Sequence, residues 1–359
     1  MTRVTVAGAL AAKPWNGGEA WVRLSYVLGL RRLDLEVSFV EQVTTLSIAA
    51  LRWFRSVTAA FGLVASLLDG DGRPTVGQEP EGGDLLLNLS GNLRSPALLS
   101  RFRRRAFVDL DPGFTQAWHL AGAAPVVAHH AYFTVGENVG SAGCSIPSGG
   151  LAWRPTLPPV ALDEWLPVEA PVFDRFTTVA TWRPGHGDVE LGGRHHGLKL
   201  HQFRHLVDLP RRAQLPFELA LAIDPSEERD LALLRRHDWR LVDPARVAAD
   251  PASFREYVAG SGAEFSVAQG AYTATRSGWF SDRTARYLAC GRPALVEDTG
   301  CRSVPAGEGL VTFRDLDEAA ATARSLVEDY ERHARAARAL AAEYLDSDLV
   351  LTRLLEDVL

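Results

Sequence analysis

Residues 264–300 read EFSVAQGAYTATRSGWFSDRTARYLACGRPALVEDTG. A short apolar run, Phe265 to Ala268, leads into a polar loop, Arg276-Ser277-Gly278-Trp279-Phe280-Ser281. A helical pattern then runs from Asp282 to Ala289. Cys290-Gly291-Arg292-Pro293 stops it, and Ala294-Leu295-Val296 reads as a buried strand ending in Glu297-Asp298. The order is therefore loop, helix, glycine stop, strand. A polar loop that feeds a helix N-terminus is an anion site, because unpaired backbone N–H groups and the helix dipole both point at the ligand.

The rest of the chain repeats this texture. Val4-Thr5-Val6-Ala7-Gly8 reads as a first strand, followed by a loop over residues 11–18 and a helix from about Glu19 to Leu30. Strands are expected at Leu35 to Val40, Asp84 to Leu89, Arg105 to Leu110 and Pro125 to Ala128, with a helix over Ile48 to Leu68. A stretch punctuated by Pro155, Pro158, Pro159, Pro167 and Pro171 breaks the pattern and marks a linker. A second series starts at Phe176 to Trp182 and continues with a helix from Lys199 to Leu206 and strands at Leu215 to Ile223 and Trp239 to Val242. Asp317 to Leu345 is strongly helical, and Asp346-Ser347-Asp348 caps a last helix, Leu349 to Leu359. Strands alternating with helices predict parallel, doubly wound sheets that bind ligands beyond the carboxyl ends of their strands.

Composition narrows the function. The chain has 359 residues, 47% hydrophobic and 23% charged, which suits two domains of ordinary size. A net charge of −6 gives no global basic surface for nucleic acid. Cys144, Cys290 and Cys301 form neither a disulfide framework nor a metal-ligand spacing. No run of about 20 apolar residues spans a membrane, and the stretch MTRVTVAGAL lacks an apolar signal core with a cleavage site, so a cytoplasmic enzyme is expected. Among 38 basic residues only Lys13 and Lys199 are lysines, and each falls where a ligand loop or helix start is expected.

The order of parts ending in YLACGRPALV resembles the donor-binding half of a GT-B glycosyltransferase, in which a helix carrying ACG-x-P lies over the diphosphate of a nucleotide sugar. The resemblance implies an α/β fold of two Rossmann-like domains whose parallel sheets face each other across a cleft. It implies an acceptor domain over residues 1–160, a linker over 161–175, a donor domain over 176–345 and a final helix, 346–359, crossing back to the first domain. It also implies a nucleoside-diphosphate sugar, such as a UDP sugar, as donor substrate, with no cofactor beyond it and no essential metal. The acceptor is expected to be a small molecule, with a secondary metabolite suggested by the GC-rich cast of the composition.

Site residues follow from these placements. Asn16-Gly17-Gly18 before the first helix lets backbone approach a phosphate or sugar, although G-x-G-x-x-G is absent. Arg183, Lys199 and Arg283 sit at loop-to-helix entries of the second domain and suit a diphosphate, whose growing charge on leaving they would stabilise. Ser281 and Asp282 open the helix, and Val242 ends a strand on the donor side. Glu297 and Asp298 suit sugar hydroxyls. For the base that takes the acceptor proton, Asp109 and Asp111 rank ahead of His130 and Glu137. His186, Arg194, His195 and His196 lack an acidic or thiol partner at ligand spacing and read as a solvated loop. The E-x7-E pattern of retaining relatives is missing, since Gly278 and Arg286 occupy its two positions. Two alternatives stay open: a non-hydrolysing sugar-nucleotide epimerase of the same fold, and a catalytically silent binding subunit.

Overall fold

The computed structural model describes every residue except Met1, Pro125, Val127, Ala128, Pro184, His186 and Gly192. Two large sheets organise it. The first has, in spatial order, Pro74–Val76, Val64–Leu68, Glu36–Gln42, Arg3–Ala7, Gly83–Leu89, Phe102–Asp109, Ala131–Thr134 and Trp153–Pro155. Its strands are parallel except for the outermost pair, Val64–Leu68 with Pro74–Val76. The second is wholly parallel, in the order Arg240–Val242, Phe217–Ala222, Phe176–Thr181, Ala263–Ser266, Ala294–Glu297 and Leu310–Phe313. The central strands are apolar on both faces, as in Leu85-Leu86-Leu87, because helices cover each side.

Six helices position the site: α1 (Gly17–Arg32), α2 (Phe114–Leu120), α3 (Lys199–His205), α4 (Pro251–Ala259), α5 (Asp282–Ala289) and α6 (Ser347–Glu356). Three sequence expectations are corrected. The helix expected over Ile48 to Leu68 ends at Ala60, where Gly62 takes φ +56 and turns the chain into the strand Val64–Leu68. The helix expected over Asp317 to Leu345 divides into Leu316–Glu328, Tyr330–Leu340 and a π-helical turn, Ala341–Leu345. Of the strand expected at Pro125 to Ala128, three residues lie outside the described residues, and the strand in this region is Ala131–Thr134.

The two halves share one apolar core. Trp21, Leu24 and Val27 of α1 pack in the same cluster as Phe254 and Val258 of α4 and Tyr287 and Leu288 of α5. Trp165, from the proline-rich segment, is fully buried in this seam, its ring 4.9 Å from Trp21 and 6.2 Å from Phe254. Burying a side chain of this kind contributes about 1.5–3 kcal/mol. The segment read as a linker therefore carries a wedge. The two chain crossings also bond to each other: Val160 N–H donates to the Leu345 carbonyl at 2.8 Å, and Ser347 N–H donates to the Val160 carbonyl at 2.9 Å. Arg32 of α1 donates to both carboxylate oxygens of Asp348 of α6 at 2.8 and 2.9 Å, closing the return crossing.

The start of α1 is the tightest contact. Gly17 N–H donates to the Ala248 carbonyl at 2.8 Å, and Trp21 Nε1 donates to the Pro251 carbonyl at 2.8 Å. A Cβ at Gly17 would run into the Asp250 carbonyl group, whereas one at Gly18 would stand 3.1 Å from the Phe254 ring. Gly17→Ala should thus lose about 1–3 kcal/mol, the usual cost of overpacking, with a lower Tm by calorimetry. Gly18→Ala, facing a ring edge that can shift, should lose clearly less.

Candidate active site

The carboxyl ends of both sheets open onto one cleft. It comprises two joined cavities of about 560 and 550 Å³ that share Asn16, Glu19, Thr181 and Asp282. The first extends to Leu221, Asp243 and Gln269 of the second sheet's half. The second extends to Lys13, Arg23, Asp111 and Trp118 of the first sheet's half.

On the second sheet's side, Lys199 and α5 define the charge. Lys199 opens α3, its N–H donating to Gln269 Oε1 at 2.7 Å. Its Nζ lies 5.9 Å from the centre of the Trp279 ring and has no ion pair among the described residues. Desolvation by the surrounding protein, with Arg283 nearby, pulls its pKa down to about 8. Ser281 takes the N-cap position of α5 without a capping side-chain bond, which leaves the first-turn N–H groups without a side-chain acceptor. Asp282 lines both cavities and pairs with Arg286 one turn on.

Arg283 is placed in the cleft wall, but its guanidinium is already committed. It donates to Glu264 Oε1 at 2.7 Å, the Val179 carbonyl at 2.8 Å and Ser266 Oγ at 2.7 Å. It is a fixed positive charge that ties the strands Phe176–Thr181 and Ala263–Ser266 together. Arg183 points elsewhere than expected: it is exposed, pairs with Glu227, and lines the second cavity only. Val242 ends the edge strand and does not line the cleft, although its neighbour Asp243 does. His186 lies outside the described residues, and the exposed His195 stands 3.8 Å from Glu190. Among the described residues no cluster of His, Cys, Asp or Glu has the makings of a metal site.

Several expected ligands have structural duties instead. Asn16 caps α1, its Oδ1 accepting from Glu19 N–H at 3.1 Å, and Gly17 is needed for docking against Asp250. Glu297 and Asp298 border a separate void of about 30 Å³ behind Trp279 and Phe280. Glu297 accepts from Gln202 Nε2 at 2.8 Å and Ala268 N–H at 3.0 Å, and burial pushes its pKa up to about 7. It thereby anchors α3, and with it Lys199. Asp298 accepts from Gly300 N–H at 2.8 Å and closes a turn.

The four base candidates separate cleanly. Asp109 is fully buried and accepts from Thr115 Oγ1 at 2.5 Å, Thr134 Oγ1 at 2.8 Å, Gln116 Nε2 at 3.0 Å and Asp111 N–H at 2.9 Å. It has no access to a ligand. His130 stands at the amino end of Ala131–Thr134, its Nδ1 accepting from Arg105 N–H at 3.1 Å, and lines none of the cleft. The misplaced strand at 125–128 had put it at a carboxyl end. Glu137 is a latch between the halves: its Oε2 accepts from Arg302 N–H and Ser303 N–H, both at 2.8 Å. Burial works to raise its pKa, but these bonds outweigh it and the net shift is downward.

Asp111 is the carboxylate that faces the cleft. Tyr272 from the opposite half donates its hydroxyl to Asp111 Oδ1 at 3.2 Å. The Asp111 side chain is reached by water from the cleft, yet the enclosing walls, Asp109 and Glu19 push its pKa up to about 6. Tyr272 packs against Trp279 with ring centres 4.7 Å apart and planes tilted by 34°, and Trp279 lies under Lys199. A continuous bridge, Lys199–Trp279–Tyr272–Asp111, thus joins the cation of one half to the carboxylate of the other. Sequence reading singled out neither Tyr272 nor Trp279 as a site residue. It also missed the cluster of Glu19, Arg23, Tyr26 and Arg286 on the cleft floor. The available signal was Arg286 itself, a charge among the buried positions Ala285, Leu288 and Ala289 of α5.

Comparison with solved structures places this architecture. The chain is similar to a sucrose-phosphate synthase from Thermosynechococcus elongatus, at 11% identity and TM-score 0.58, with 99% of each chain covered. It is similar to HepE of Anabaena, solved with UDP, at 12% identity and TM-score 0.59, again over 99% of each chain. It is similar to AviGT4, a glycosyltransferase involved in avilamycin A biosynthesis, at 13% identity and TM-score 0.56, over 99% of this chain and 96% of that one. No family model and no curated protein matches the sequence. The fold is GT-B, two parallel α/β halves facing across a cleft, as the ACG-x-P segment led us to expect.

Replacing Asp109 by Asn would turn an amide N–H₂ towards donors that now find an oxygen. Leaving such buried groups unpaired costs about 1–3 kcal/mol. Chemical denaturation of Asp109→Asn should show a loss in that range.

Proposed function

We propose that the protein is a glycosyltransferase that moves a sugar from a nucleoside-diphosphate donor, a UDP sugar in the first instance, to a small-molecule acceptor. The observation that carries the reading is the bridge from Lys199 to Asp111 across the cleft, which brings an unpaired ammonium and an open carboxylate to the two sides of one space. The GT-B fold supports it, as does the presence of UDP in the HepE complex. A secondary-metabolite acceptor is the finer reading, for which AviGT4 is the supporting likeness.

In this reading the diphosphate lies between Lys199 and the N-terminus of α5. As the bond from the sugar's anomeric carbon to the diphosphate oxygen breaks, its electron pair stays on the diphosphate. Lys199 and the helix end stabilise that charge, and no metal is assigned to the task. The acceptor hydroxyl oxygen bonds to the anomeric carbon, and Asp111 accepts the hydroxyl proton. A carboxylate whose pKa lies near 6 is ionised at neutral pH and is a stronger base than an ordinary aspartate. Arg283 contributes fixed field, and Glu19 and Asp282 face the sugar with acceptor oxygens.

Two outcomes follow. Lys199→Ala should weaken UDP binding by about 1.5–3 kcal/mol, the range for a hydrogen bond to a charged group. Lys199 binds the diphosphate as the ammonium, and bound diphosphate raises its pKa above the free value of about 8. Affinity of the wild type should therefore fall as pH rises through about 8, and Lys199→Arg should lose that dependence, both read by titration calorimetry.

Asp111→Asn should reduce transfer by about 10²–10⁴-fold with UDP affinity retained. Wild-type transfer should decline as pH falls through about 6, where the carboxylate protonates. Epimerisation of a UDP sugar in the absence of any acceptor, or failure to bind UDP at all, would defeat the reading.

A further inference from the structure

Beyond Asp111 the cleft continues into the first half. Asp111, Ser90 and Trp118 line both the main cleft and a further cavity of about 320 Å³. We infer that this cavity is the acceptor subsite and that it is shaped for the ring body of a hydroxylated aromatic compound, a phenol of one to three rings. The inference rests on the transferase reading above and adds the chemical class of the acceptor.

The walls decide the class. Leu93, Leu99, Phe107 and Val126 line the cavity and are themselves buried, so their positions are fixed by packing. Phe107 is held edge-on against the rings of His129 and Trp153, with centres 5.4 and 6.0 Å apart. The polar group deepest in the wall, Asn88, is already satisfied. Its Nδ2 donates to the Leu93 carbonyl at 2.9 Å and contacts His129 Nε2 at 3.1 Å, while its Oδ1 accepts from Leu93 N–H at 3.0 Å. Gly91 takes φ +68 with its Cα turned to the Phe107 ring, and a Cβ there would stand 2.9 Å from that ring. A side chain at this position would displace the aromatic wall.

The other polar side chains of the lining are Thr115 and His129, engaged with Asp109 and Asn88, and Ser90, Arg94 and Asp111, which are exposed at the rim. A sugar ring lying in the cavity would bury several hydroxyls against Leu93, Leu99, Phe107 and Val126, and an unpaired buried hydroxyl is costly. A flat aromatic ring loses nothing on entry and gains apolar burial. At the mouth, beside Asp111, Trp118 is 37% exposed, its ring tilted against Phe114 with centres 5.8 Å apart. A phenol whose ring fills the cavity and lies against Trp118 presents its hydroxyl to the Asp111 carboxylate. The transfer balances as above: the phenolic oxygen gains the anomeric carbon, its proton goes to Asp111, and the nucleoside diphosphate leaves with the electron pair of the broken bond.

The test uses the whole protein with 2-naphthol and UDP as separate probes in titration calorimetry. Ala124 is an exposed residue on the rim of this cavity, so Ala124→Trp fills the space without touching the core. The expected result is saturable 2-naphthol binding to the wild type, weakened at least tenfold in Ala124→Trp, with UDP affinity equal in the two. Trp118→Ala, an independent variant, should weaken naphthol binding several-fold and leave UDP binding alone. Absence of naphthol binding to the wild type, or binding that Ala124→Trp does not change, would overturn the assignment. Naphthol binding by a protein that binds no UDP would instead overturn the transferase reading, and with it the role of acceptor.

Discussion

Docking of the first turn of α1 against the stretch Ala248–Pro251 is the constraint on which the molecule depends. Gly17 and Trp21 donate to backbone carbonyls of the other half, and Trp165 fills the angle between α1 and α4. This contact sets the angle between the two sheets. The cleft is the space left over between their carboxyl ends, so its width follows from a glycine that has no room for a side chain. Glu137 and Asn138 repeat the device at the other end: Asn138 Nδ2 donates to the carbonyls of Arg276 and Gly300 at 2.9 and 3.1 Å, beside the loop that carries Trp279.

A second consequence is electrostatic. The seam gathers charges from both halves: Glu19 and Arg23 from α1, Asp282 and Arg286 from α5, Lys13 from the first loop. Burial works to raise the pKa of Glu19, but Arg23, Lys13 and Arg286 together bring it down. Lys199 and Asp111 stand at the edges of this balanced cluster with shifts in the opposite sense, an ammonium eased towards neutrality and a carboxylate made more basic. Groups perturbed in this way, facing one another in a cleft, are what a polar reaction needs at neutral pH.

Much of the fold was legible in the sequence because parallel strands buried on both faces leave unmistakable apolar runs, and α5 with its glycine stop falls where the pattern put it. Placing side chains was harder. Lys199 and Asp111, which line the cleft, were picked out because each sits at the end of a strand-loop-helix unit, a local signal. Arg283, Glu297 and Glu137 carry the same local signal, yet their partners come from residues 17 to 166 positions away, and sequence spacing carries no trace of them. Gly17 is the instructive case. Its place in a loop before a helix suggested a phosphate, and only the tertiary contact with Asp250 reveals why a glycine is required there. His130 failed for a simpler reason: moving one strand by a few residues carried it from one end of the sheet to the other.

The account stands on the diphosphate lying between Lys199 and the start of α5, with Asp111 across the cleft. A crystal structure of the protein with UDP tests this most directly. The account predicts diphosphate oxygens within hydrogen-bonding distance, about 3 Å, of Lys199 Nζ and of first-turn N–H groups of α5. UDP bound elsewhere, or in the cleft with its phosphates turned away from both, would contradict it.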